Sequence, residues 1–192
     1  MGVFSLPTGY NQIKHIDLQK DKKLAIAINL AAFIVMAIMV VIGIAILPFQ
    51  MVAPHNLLVA ILFPLLSIAA YFVAHELVHG AFFKKYSGKK AKYGFTGMYA
   101  YAGSDAYFNK RQYLIIALSP VVILGTLFLL LNMFLPAQWF WNIYLLQIIN
   151  ISGASGDLYV TNLMRKLPAD MLVHDSGVSM TFYSQPTEPP NQ

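Results

Sequence analysis

Two histidines separated by three residues, with a glutamate directly after the first, stand at His75-Glu76-Leu77-Val78-His79. On a helix, positions i and i+4 lie one above the other on the same face, so both imidazoles can grip one zinc ion. Glu76 beside them is then placed as a general base, and a metal paired with a carboxylate base is the chemistry of hydrolysis by activated water. The motif lies inside an apolar stretch, where ionisable groups are costly and by default functional.

Two histidines do not complete a catalytic zinc site, which takes three protein ligands and a water. In the long zincin signature a third histidine stands six residues after the second, but that position holds Lys85. A downstream glutamate is another arrangement, yet the only glutamate after Glu76 is Glu188, in a proline-rich end segment. Asp157 remains. Glu76 lies eight residues before Lys84 and Asp157 eight before Arg165, so two helical segments would bury both carboxylates roughly 12 Å from their basic anchors, at one level. His174 and Asp175 are reserve ligands, read as an exposed pair. His15 and His55 lie outside the apolar runs and are discounted.

The elements that must position these groups are long and apolar. Runs at about 24–47, 57–83, 113–135 and 139–164 are each long enough to cross a hydrocarbon core of roughly 30 Å. With 58% hydrophobic and 11% charged residues, too little polar chain remains to wrap a soluble core. The expected fold is an all-α integral membrane protein of four transmembrane helices, with a short cytoplasmic β-hairpin-like loop between the second and third. It divides into an N-terminal arm (1–23), a four-span metallopeptidase domain (24–166) and a tail (167–192) whose end, 184–192, reads as disordered. The first run is too long for the apolar core of a signal peptide and is read as a retained span.

All thirteen lysines and arginines fall before the first run, between the second and third, or after the fourth. The positive-inside bias then puts both termini and the central loop in the cytoplasm and Trp139, Trp141 and Tyr144 at the outer interface. Topology and anionic lipid account for the net charge of +5, so the lipid bilayer is the expected partner and nucleic acid is not. The absence of cysteine excludes disulfides, thiolate metal sites and a cysteine nucleophile.

In the central loop Tyr93, Phe95, Tyr99 and Tyr101 alternate with Gly94, Gly97 and Gly103, the pattern of a hairpin with one aromatic face at the membrane surface. Its edge, with Phe95 and Tyr99, could bind an extended substrate through backbone hydrogen bonds. Pro120, after Ser119, is expected to kink the third span, and the small residues between Asn150 and Asp157 permit close helix approach or a local break. Asn150 suits either a hydrogen bond to substrate or a structural amide.

His75-Glu-Leu-Val-His79, Ser119-Pro120, and Asn150 through Gly156-Asp157 together resemble the site-2 protease class of intramembrane zinc metallopeptidases. The resemblance is closer to a bacterial family of small four-span zincin-like proteins of unknown function. It covers roughly residues 57–165 and departs at the aspartate, where Gly156-Asp157-Leu158 replaces Leu-Asp-Gly and the proline of the Asn-Pro pair is missing. The resemblance implies one Zn2+ per chain, a bacterial plasma-membrane location and a membrane-protein or peptide substrate. The chemistry it implies is peptide-bond hydrolysis with zinc on His75, His79 and Asp157 and with Glu76 as base. The alternative is a non-proteolytic scaffold with a structural or regulatory zinc site. A di-iron carboxylate site would need a second Glu-x-x-His motif, and a haem site would need histidines on facing spans.

Overall fold

The computed structural model describes residues 2–49, 57–97 and 99–186, so His55 and residues 187–192 of the end segment lie outside it. Five helices and six strands follow in the order β1 (Asn11–Asp17), α1 (Lys22–Ile46), α2 (Leu57–Ser87), β2 (Lys92–Phe95), β3 (Ala100–Gly103), β4 (Tyr107–Asn109), α3 (Lys110–Phe134), α4 (Phe140–Gly153), α5 (Ser155–Arg165), β5 (Leu172–Asp175) and β6 (Ser179–Ser184).

Among the described residues three helical stretches are long and apolar enough to cross a membrane: Lys22–Ile46, Ile61–Ser87 and Lys110–Phe134. α1 starts where Asp21 accepts the backbone N–H of Leu24, and α3 where Asn109 and Gln112 form a reciprocal capping box. Among the described residues of α1 only Gly43 is buried, while Ile26, Leu30, Phe33, Val41 and Ile46 each leave more than half their surface exposed. A helix apolar on nearly every side and packed on few suits lipid, not water. Gly43 is the point where the rings of Trp141 and Tyr144 reach α1. The Trp141 indole N–H then donates to the carbonyls of Leu47 and Pro48 at the helix end, and the Tyr144 hydroxyl to Met39.

The fourth apolar run is not one continuous helix. It breaks at Ala154, where the backbone leaves helical geometry (φ −78°, ψ 12°), and the run divides into α4 and α5.

The expectation of an all-α protein is corrected: the chain is mostly helical but carries two sheets. Strands β1, β6, β5 and β4 form, in that order, an antiparallel four-stranded sheet built from both ends of the chain, and β2 and β3 form a separate hairpin. Phe108, Val173 and Phe182 stand side by side across β4, β5 and β6 and are fully buried. They pack with Phe83, Tyr113, Ile116, Val160 and Met164, so the sheet covers the ends of α2, α3 and α5. Burying each of the large side chains in that row stabilises the cap by roughly 1.5–3 kcal/mol.

The hairpin register also corrects the single aromatic face. Gly94 pairs with Tyr101, and Tyr93 with Ala102, so the aromatics divide between two faces. Gly80 of α2 lies under this hairpin, and a Cβ there would collide with the Tyr93 hydroxyl.

Candidate metal centre

Because α2 runs unbroken through the motif, His75 and His79 lie one turn apart with ring centroids separated by 4.9 Å. Their Nε2 atoms face the carboxylate of Asp157, at 3.5 Å from His75 and 3.6 Å from His79. Charge-assisted hydrogen bonds run shorter, at about 2.7–2.9 Å. Each separation, from His75 to Oδ2 and from His79 to Oδ1, is instead close to the roughly 3.3–3.6 Å edge of a tetrahedron with metal–ligand bonds of about 2.0–2.2 Å. One donor atom from each residue lies within 4.8 Å of the others. Two imidazoles and a carboxylate are the donor set of a three-ligand zinc site, and the residues fit that ion.

The helix break is what delivers Asp157. α5 restarts at Ser155, which places Asp157 in its first turn, where free N–H groups and the helix dipole favour a carboxylate. The serines around the break donate back into the chain: Ser152 Oγ to Ile148 O and Ser155 Oγ to Ser152 O, each at 2.7 Å. Gly153 and Gly156 leave this wall of the site bare of side chains.

Each imidazole is held from behind through Nδ1. His79 Nδ1 donates to the carbonyl of Ile116 at 3.0 Å. That carbonyl is free because Pro120, four residues on, has no N–H to complete the helical bond, and Ser119 Oγ also donates to it at 2.9 Å. For His75 the partner is the Tyr71 hydroxyl at 3.1 Å, which in turn lies 3.4 Å from Asn150 Oδ1. The amide oxygen accepts only, so the phenol hydrogen goes to Asn150 and the phenol oxygen accepts Nδ1–H. Both Nε2 lone pairs are thereby left facing Asp157. Neither Tyr71 nor Ile116 was among the expected site residues, although Tyr71 stands at i−4 from His75 on one helix face and a proline within α3 signals a free carbonyl four residues earlier.

The centre opens into a cavity of about 470 Å³ walled by α1, α2, β3, α5 and the turn between β5 and β6. Glu76, Phe95 and Tyr99 line it, with Phe95 largely exposed at its mouth. Asn150 does not line it. Its fully buried side chain donates from Nδ2 to Val121 O at 3.2 Å and accepts from Tyr71, the arrangement of a structural amide.

His174 and Asp175 are not the exposed pair expected of them. Strand alternation turns Asp175 inward, where it is buried, lines the cavity and accepts from the Tyr113 hydroxyl and, at 2.7 Å, from Gly177 N–H. Burial nevertheless pushes its carboxyl up to about 6. His174 faces the other way, its ring 5.2 Å from that of Tyr107, and partial burial lowers its pKa. His15 Nδ1 pairs with Thr181 Oγ1 at 2.9 Å. None of the three joins the convergent group among the described residues.

A protein of Pyrococcus woesei named "Uncharacterized 24.7 kDa protein in gap 5'region" is 28% identical over 145 residues, 73% of this chain and 62% of that protein. The chain thus spans less than two thirds of that relative. No solved structure matches the chain. The family described as "Putative zincin peptidase" matches residues 67–172, more than half of the chain and the span that holds His75, Glu76, His79 and Asp157, and the chain belongs to that family.

Proposed function

We propose that this protein is a zinc-dependent metallopeptidase, similar in type to the site-2 proteases, that hydrolyses peptide bonds within or beside the bilayer. The observation that carries the reading is the convergence of His75, His79 and Asp157 beside Glu76 in one cavity set into apolar helices. When bound by these three residues, zinc supplies a Lewis acid that activates water near neutral pH. Tyr71 and the Ile116 carbonyl keep the imidazoles in the tautomer and orientation for this. Glu76 takes the proton of the attacking water on a carboxylate oxygen and delivers it to the leaving amine. The hairpin β2–β3, with Phe95 and Tyr99, contacts the substrate at the cavity mouth.

The membrane orientation follows the same proposal. Lys84, Lys85, Lys110 and Arg165 gather where the four-stranded sheet covers the helices, so the sheet and both termini lie in the cytoplasm. Partners are the bilayer and a membrane-protein or peptide substrate, with no nucleic acid.

The test is Glu76→Gln. Zinc content should stay at the wild-type level, while membrane-protein fragments seen by mass spectrometry in cells expressing the wild type should fall by about 10²-fold or more. Unchanged fragments with zinc retained would favour a structural or regulatory zinc site in a non-proteolytic scaffold.

A further inference from the structure

α1 carries one polar side chain between Leu24 and Leu47, and it is Asn29. An amide on a lipid-facing helix is disfavoured unless it has a partner. Among the described residues Asn29 makes no side-chain hydrogen bond within the protein and stays exposed, yet together with Ile28 it lines the cavity that holds Glu76 and the His-His-Asp group.

Its depth matches theirs. Asn29 lies six residues after Lys23, Glu76 eight before Lys84 and Asp157 eight before Arg165, which along the helices is about 9 Å against about 12 Å from the basic end. α1 packs chiefly against α4 and α5. Ile28 and Asn29 of α1 line the cavity together with Phe72 of α2 and Phe95 of the hairpin, both of which are exposed.

We infer that Asn29 is a substrate-binding residue: its amide hydrogen-bonds the main chain of an apolar membrane-spanning peptide that enters between α1 and α2 and is locally unwound at the cavity. This inference rests on the proposed function and names the substrate class of that site. A helical segment has its carbonyls and N–H groups occupied, and unwinding inside lipid leaves them without partners. An amide offers both a donor and an acceptor to such a chain. Its neighbours on α1 are apolar and suit apolar substrate side chains.

Two zinc-chelating probes separate this claim from the one beneath it. Acetohydroxamate reaches only the metal, whereas a hydroxamate carrying a leucine-rich tripeptide also occupies the cavity. Binding of each to zinc-loaded, detergent-purified wild type, Asn29→Leu and Asn29→Gln would be measured by calorimetry. Asn29→Leu should bind the peptidyl probe about 10-fold more weakly and acetohydroxamate unchanged, while Asn29→Gln should restore most of the loss. Leucine adds only apolar bulk to an apolar helix, and equal zinc content in all three proteins confirms an intact site. Peptidyl binding unchanged in Asn29→Leu, or both probes weakened alike, would overturn the role of Asn29 and leave the peptidase reading standing. No binding of acetohydroxamate to the wild type would remove the metal site itself and this inference with it.

Discussion

Two regions of the molecule hold histidine pairs, and only one is built to bind a metal. In the bundle, His75 and His79 share one helix face, are pinned through Nδ1 and aim both Nε2 atoms at Asp157. On the sheet, His15 and His174 stand on either side of Thr181 across three strands, yet one is spent on the Thr181 hydroxyl and the other lies against Tyr107. Asp175, next in sequence to His174, points to the opposite face and is bonded to Tyr113. Ligand types in proximity are therefore not enough. A site needs donors that converge and a second layer that leaves the right lone pairs free.

The largest way to sharpen this contrast is through Asp175. Its folded-state pKa of about 6 lies above the ordinary aspartate value of 3.8, so the folded protein holds the proton that the unfolded chain releases. The resulting stability is present below about pH 4 and is lost as pH rises through about 6, a change of roughly 3 kcal/mol. The stability of the wild type in detergent should fall by about that amount relative to Asp175→Asn between about pH 4 and 7, with zinc affinity alike in both. Parallel pH profiles would mean that the carboxylate is not held as described.

Next comes Tyr71→Phe, which removes the oxygen that accepts His75 Nδ1–H. Zinc affinity, measured by chelator competition, should fall about 10- to 100-fold. An unchanged affinity would show that the Tyr71 contact does not orient the ligand.

Pro120→Ala should act more gently. It restores an N–H that competes for the Ile116 carbonyl, so zinc affinity should drop by about 3- to 10-fold while thermal stability holds or rises, because a helix interior prefers alanine. A loss of stability with zinc binding intact would assign Pro120 to packing instead of the metal site. The smallest expected effects are those of His15→Ala and His174→Ala, which should leave zinc affinity within about twofold of wild type, since surface changes away from special features cost little.

How much of this was legible in the sequence depended on whether the signal was local. The His75 to His79 spacing needs only a helix to have meaning, and the basic anchors gave Glu76 and Asp157 a common depth before any fold was known. The sheet was not legible, because β1 pairs with β6 from the far end of the chain, with Lys14 set opposite Phe182 beside a register shift. Such pairing leaves no trace within either segment, and strands of three to seven residues carry little periodicity of their own. The fourth apolar run was long enough to read as one span, and the break at Ala154 was visible only as a cluster of small residues. Asn150 stood on the right helix for substrate contact, but a tertiary bond to Tyr71 decides where its amide is used.

Zinc stoichiometry of the detergent-purified protein, with His79→Ala, Asp157→Ala, His15→Ala and His174→Ala measured beside the wild type, decides whether the bundle holds the metal. About one zinc per chain is expected in the wild type and in both sheet variants, and none in the two bundle variants. A wild type without zinc, or an Asp157→Ala protein that keeps its full complement, would contradict it.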